Sequence, residues 1–218
     1  IVTSVGTYSE GCLTTYRLSV GLSTGVHNIH SMFGDSTNPM VVPPAFQAAA
    51  GADIGGVDPA LFAPLPELEY DSWLTIGATD GSVSLSSAGI DFATWSLTSG
   101  LIVTSGGVMH FDSSADASVT SAAAPRPGAS PVVVAQLTLP TSTTPQMATM
   151  NFQGHMQPRS ATTSFADMAP DWQAFGVSFS MASSVARPVT CPAGSNTMAS
   201  ATDADFAARL GVAAAFVD

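Results

Sequence analysis

Apolar and polar positions alternate with a period of two along much of this chain, the pattern of strands with one buried face. In residues 14–23, Tyr16, Leu18, Val20 and Leu22 alternate with Thr15, Arg17, Ser19 and Gly21. Residues 70–81 predict a central strand, with Trp73, Thr75 and Gly77 on one face and Ser72, Leu74 and Ile76 on the other; Asp80-Gly81 closes it with a hairpin-turn signal. The pattern predicts a strand at 26–33, joined to 14–23 as a hairpin, and a short one within 1–11. Others are predicted at 82–85, 90–95, 101–104, 108–112, 131–139, 147–156 and 173–181. The segment 131–139 is apolar on both faces, and in 173–181 the residues Phe175, Val177, Phe179 and Met181 share one face.

Between 36 and 66 the alternation stops, because Pro39, Pro43, Pro44, Pro59, Pro64 and Pro66 interrupt any regular ladder. This reads as a long connection anchored by Phe46, Phe62 and Leu65, with its sharpest bend at Gly55-Gly56. Residues 113–130, rich in Ala, Ser and Pro, read as a surface loop. Only 203–217 has a helical spacing, with Phe206, Leu210 and Ala214 on one face and Asp203 as N-cap. No tandem period of 20–50 residues is present, and the short connections favour antiparallel pairing. The expected architecture is an all-β, antiparallel two-sheet β-sandwich, jelly-roll or Ig-like, over 1–190, followed by a connecting segment at 191–218 with a short helix.

Composition narrows the function classes. Hydrophobic residues make up 45% of the 218 and charged residues only 10%; lysine is absent, and sixteen acids against five arginines leave a net charge of −11. With so few cations there is no basic groove for nucleic acid. The longest apolar run, 131–139, falls far short of the ~20 residues that cross a bilayer, so no membrane insertion is expected. The chain begins at Ile1 without a charged-then-apolar leader, which fits an exported protein whose leader has been removed.

Cys12 and Cys191 bracket the strand-rich region and are expected to form a disulfide in an oxidising compartment, two buried thiols being the other reading. His27 and His30 have metal-ligand spacing on a helix, but on a strand they point to opposite faces. His110 and Asp112 share a strand face and, with Asp80, are the metal candidates. Asp71, Asp80, Asp91 and Asp112 near strand ends would suit a structural calcium ion. No cofactor is otherwise expected. There is no G-x-S-x-G elbow, and no glutamate pair stands out as a glycosidase acid and base, so no catalytic residues are assigned and the chain reads as non-enzymatic. Trp73 and Trp95 read as core, whereas Trp172, next to Pro170-Asp171, is the candidate ligand-binding residue.

The ordered series Val26-His27-Asn28-Ile29-His30-Ser31-Met32-Phe33-Gly34, Pro43-Pro44-Ala45-Phe46-Gln47, Asp71-Ser72-Trp73-Leu74-Thr75-Ile76-Gly77, Val134-Ala135-Gln136-Leu137-Thr138 and Asn151-Phe152-Gln153-Gly154 resembles a module of uncharacterised secreted or cell-surface proteins of eukaryotic algae and marine bacteria. The resemblance covers about residues 14 to 181 and implies export and a modular β-domain, with no activity and no site residues to carry over. The expected function is a structural or adhesion module of an extracellular assembly, whose partners are copies of itself or other extracellular proteins. A carbohydrate-binding module, with polysaccharide as partner, is the alternative.

Overall fold

In a computed structural model, which describes residues 1–9, 11–48, 51–83, 85–110, 131–157, 169–186 and 191, the chain is an all-β sandwich of two antiparallel sheets. Its strands are β1 (Val2–Tyr8), β2 (Leu13–Val20), β3 (Ser31–Gly34), β4 (Met40–Val42), β5 (Trp73–Leu74), β6 (Ser86–Ala88), β7 (Leu101–Val103), β8 (Gly106–Met109), β9 (Val132–Pro140), β10 (Gln146–Gly154) and β11 (Trp172–Met181). The first sheet has the order β1-β2-β9-β5. In the second, β3 and β4 lie end to end along one side of β10, and β7 and β8 lie end to end beyond them. That sheet is therefore five strands wide, from β6 through β7/β8, β3/β4 and β10 to β11.

The interruption between β3 and β4 is an ordered excursion. Asp35 Oδ1 accepts hydrogen bonds from the N–H groups of Thr37 and Asn38, each at 2.7 Å, which folds the extra residues out of the sheet. Asn151 then bridges the gap from β10, its side-chain amide donating to the Phe33 and Asn38 carbonyls at 3.0 and 2.7 Å. A buried asparagine in the middle of a sheet is thus satisfied by backbone that the ladder leaves over.

Between the sheets lies the main core, in which Leu18, Met32, Leu74, Val134, Leu137, Met150 and Phe152 interdigitate. β9 is the most enclosed strand, as its apolar run predicts, because the first sheet is covered on both faces. On its outer face sits a second cluster of Val57, Leu65, Leu68 and Trp73, with Phe62 against it. The proline-rich connection supplies this cover, and Phe46, Phe62 and Leu65 anchor it as expected. Gly55 and Gly56 both adopt positive φ, 83° and 84°, which places the sharp bend where the sequence does.

Several sequence expectations are corrected. Of residues 70–81 only Trp73–Leu74 is a strand, at the margin of its sheet rather than the centre. Beyond it Thr75 and Gly77 still donate to Val134 and Val133, but the opposite side is closed by residues 53–55 through Leu74 N–H to Asp53 and Gly55 N–H to Leu74. Asp80-Gly81 joins no hairpin: Gly81 has φ 71°, while Asp80, unlike the first central residue of a type I′ turn, does not have positive φ. Residues 26–33 do not pair with 14–23. Their strand residues, 31–33 of β3, lie in the other sheet and pair with β10 and β8. Residues 92–94 form a 3-10 turn rather than a strand, and the strand expected at 82–85 is β6, at Ser86–Ala88. Phe175 does not share a face with Val177, Phe179 and Met181: the register of β11 shifts between the partners Met150 and Phe152, with Gly176 at φ 65°. One inserted residue reverses the side-chain alternation, so Phe175 turns outward and meets Phe33 edge-on at 5.7 Å. The 113–130 loop, the 203–217 helix and all of the 191–218 connector beyond Cys191 lie outside the described residues.

Candidate functional site

The disulfide is present. Cys12 and Cys191 are bonded with Cα atoms 5.7 Å apart, closing a sequence separation of 179 residues at the start of β2. Beside it Thr141 fastens the β9 end to the same corner, its hydroxyl donating to the Gly11 carbonyl at 2.7 Å.

Among the described residues Asp71 is the most perturbed acid. It is fully buried, and its carboxylate accepts from the N–H groups of Ala48 and Ala52, both at 2.8 Å, holding the proline-rich connection to the first sheet. Burial pushes its pKa up to about 7 despite the hydrogen bonds from Ala48, Ala52 and Ser72 that lower it, and the nearby Asp53 charge adds to the rise. Gly51 is required at this fastening, since a Cβ there would collide with the Asp71 carboxylate. The sequence offered Asp71 as a calcium candidate; the structure uses its carboxyl group to cap a loop. Asp80 instead caps its own turn, and bonds from the Ser82 hydroxyl and N–H hold its pKa below the ordinary carboxylate value.

The four histidines, scattered in sequence, converge at one end of the second sheet. His27 and Asn28 donate backbone N–H bonds to the His155 carbonyl, His155 N–H donates to Asn28 Oδ1 at 2.9 Å, and His110 N–H donates to the His30 carbonyl. The His30 and His155 rings lie 4.5 Å apart. Sequence spacing separated His27 from His30 and paired His110 with Asp112; the fold brings the backbones of all four together near the ends of β3, β8 and β10, with the His30 and His155 rings in contact. Among the described residues no three His, Cys, Asp or Glu side chains are placed to hold a metal ion, and Asp112 lies outside those residues.

Trp172 stands next to this end, at the start of β11 and opposite Gly154. Its indole N–H donates to the Asn28 carbonyl at 3.1 Å, and its ring occupies space that a Cβ on Gly154 would need. The ring forms one wall of a cavity of about 280 Å³ between the sheets, where β2 ends beneath β11; Leu22, Ile29, Phe152, Val177 and Phe179 are among the residues that line the rest. Of the three tryptophans, Trp172 is the one that meets open space. Trp73 and Trp95 are buried core, as expected. No family, no curated protein and no solved structure matches this chain. Any function must therefore be argued from these features of the molecule itself.

Two features went unread in the sequence. His155 carried no spacing signal relative to the other histidines, and Asn28 and Gly154 gave no hint that they seat the Trp172 ring. Knowing that β3 and β10 are neighbours would have exposed both.

Proposed function

We propose that this chain is a non-enzymatic structural module of an extracellular or cell-surface assembly, joined to copies of itself or to neighbouring proteins along a sheet edge. The observation that carries the reading is β11. This ten-residue strand borders the second sheet, and among the described residues no strand pairs with its outer side. An edge strand presents a row of unpaired N–H and C=O groups, which monomeric proteins ordinarily protect with charges or proline. β11 contains no Lys, Arg, Asp, Glu or Pro, and neither does β1 at the edge of the other sheet. Surfaces of Ser, Thr, Ala and Gly lose little side-chain entropy on packing, so such an interface forms at low cost. The net charge of −11 supplies the opposing repulsion that limits indiscriminate aggregation.

The disulfide supports an oxidising, extracytoplasmic setting. No described helix is long and apolar enough to cross a membrane. A carbohydrate-binding role would rest on Trp172, and the bonded indole N–H and apolar surroundings of that side chain favour the structural reading. The test is sedimentation velocity of the full chain across a salt series, alongside retention on immobilised polysaccharides. Growth of larger species with salt supports the assembly role; a strict monomer retained on polysaccharide would replace it with the carbohydrate reading.

A further inference from the structure

The cavity beside Trp172 is bounded by side chains whose positions are set by the rest of the fold. Ile29, Phe152 and Phe179 are core residues, and Trp172 is held by its bond to Asn28. Gly21, just beyond β2, also lines the cavity and adds no side chain to it: a Cβ at this position would touch nothing within 4 Å. The shape therefore exists before any ligand arrives, which removes the ordering cost of building it.

The chemistry of the walls defines what fits. No side chain that lines the cavity is charged, and the Ile1 amino group at its margin already donates to the Ser19 carbonyl at 2.8 Å, so an ionic ligand would gain little on leaving water. Two of the polar groups at the margin are engaged: the Trp172 N–H is bonded to Asn28, and the Ser178 hydroxyl donates to the Gly176 carbonyl at 3.2 Å. A sugar, whose hydroxyls each need a partner once desolvated, would find few. Apolar groups gain by leaving water for this surface. At about 280 Å³ the volume falls just under the usual range of about 300–1,000 Å³ for ligand sites. It exceeds the roughly 150 Å³ that suffices for benzene in a dry apolar cavity.

We propose that this cavity is a binding site for a small, uncharged apolar molecule, the size of a compact aromatic or a short aliphatic chain. The proposal does not rest on the assembly reading, since it concerns the space between the sheets; the two share β11, on which Ser178 stands at the cavity margin. Trp172 serves as a rigid aromatic wall. Ala174, which pairs with Phe152 and lines the same space, sets how much room remains.

The test is a titration of the full chain with the neutral fluorophore N-phenyl-1-naphthylamine, read by fluorescence and by methyl NMR shifts. Saturable enhancement is expected, with shifts concentrated at Leu22, Ile29 and Val177, while glucose and hexanoate at equal concentration leave those methyls unmoved. Ala174→Phe, which fills the cavity from β11, should abolish the enhancement. If that variant does not fold, the wild-type methyl map decides alone. Absence of saturable binding, shifts confined to other parts of the chain, an Ala174→Phe protein that binds like wild type, or shifts caused by glucose or hexanoate instead would each overturn the proposal.

Discussion

Asp71→Asn should change the pH dependence of stability in a direction that isolates one buried charge. In the folded chain, burial and the Asp53 charge raise the Asp71 pKa from 3.8 to about 7, against the lowering effect of three backbone N–H groups. The unfolded chain binds fewer protons at this site between those two values. Stability from Asp71 is therefore fully present below pH 3.8 and is lost as pH rises towards 7. A shift of about three units corresponds to roughly 4 kcal/mol across that window. Asparagine keeps the size and removes the titration, but turns an amide N–H₂ towards one of the N–H donors of Ala48 or Ala52, costing about 1–3 kcal/mol at every pH. Urea unfolding of both proteins from pH 4 to pH 8.5 gives the stability difference directly. Wild type should lead by most at pH 4, and the difference should fall by up to about 4 kcal/mol by pH 8, enough to make the variant the more stable protein. A lead that is constant refutes the raised pKa. A lead that grows with pH would mean that the three hydrogen bonds outweigh desolvation and that the carboxylate is the preferred buried form.

Other expectations follow from the same packing. Replacing both Cys12 and Cys191 by Ser should lower stability by roughly 4 to 5 kcal/mol by the chain-entropy argument, and alkylation followed by intact-mass analysis of the native wild type should find no free thiol. Trp73→Ala should cost about 3–5 kcal/mol in denaturant unfolding, because the ring fills the cluster under the proline-rich connection and carries the Arg17 guanidinium 5.9 Å from its centroid. Gly154→Ala should cost about 1–3 kcal/mol, since its Cβ would collide with the Asn28 carbonyl and the Trp172 ring; a matching change in tryptophan emission would show the indole displaced.

The alternation of side chains made the long strands legible. β2, β9, β10 and β11 fall within a few residues of where the pattern puts them, since each has one or both faces against the core. Pairing was less legible, because the local pattern of β3 does not say which strand it faces. Its partners lie far away in sequence, and the nearer candidate, β2, belongs to the other sheet. Parity failed at Phe175 for a local reason: a bulge costs one residue, and a one-residue slip exchanges inside for outside. The stretch 70–81 misled because Trp73 and Leu74 carry a true strand pattern while the backbone on one side bonds to a loop. The histidine cluster stayed hidden because its members share strand ends, not sequence spacing. Trp172 could be singled out from its place beside Pro170-Asp171, yet its apolar cavity depends on Leu22 and Ile29, which only the folded arrangement brings to it.

Assembly through the β11 edge is most directly tested by placing charge on that strand without touching the core. Ser178 and Ser180 are exposed positions of β11, so Ser178→Lys with Ser180→Lys should leave folding intact while introducing the edge protection that the natural strand lacks. Sedimentation velocity of the full chain is then compared with the double variant at low and at high salt. The account predicts larger species for wild type as salt screens the −11 charge, and a variant that stays monomeric under the same conditions. A wild-type protein that remains monomeric at every salt concentration, or a variant that assembles as readily as wild type, would contradict it.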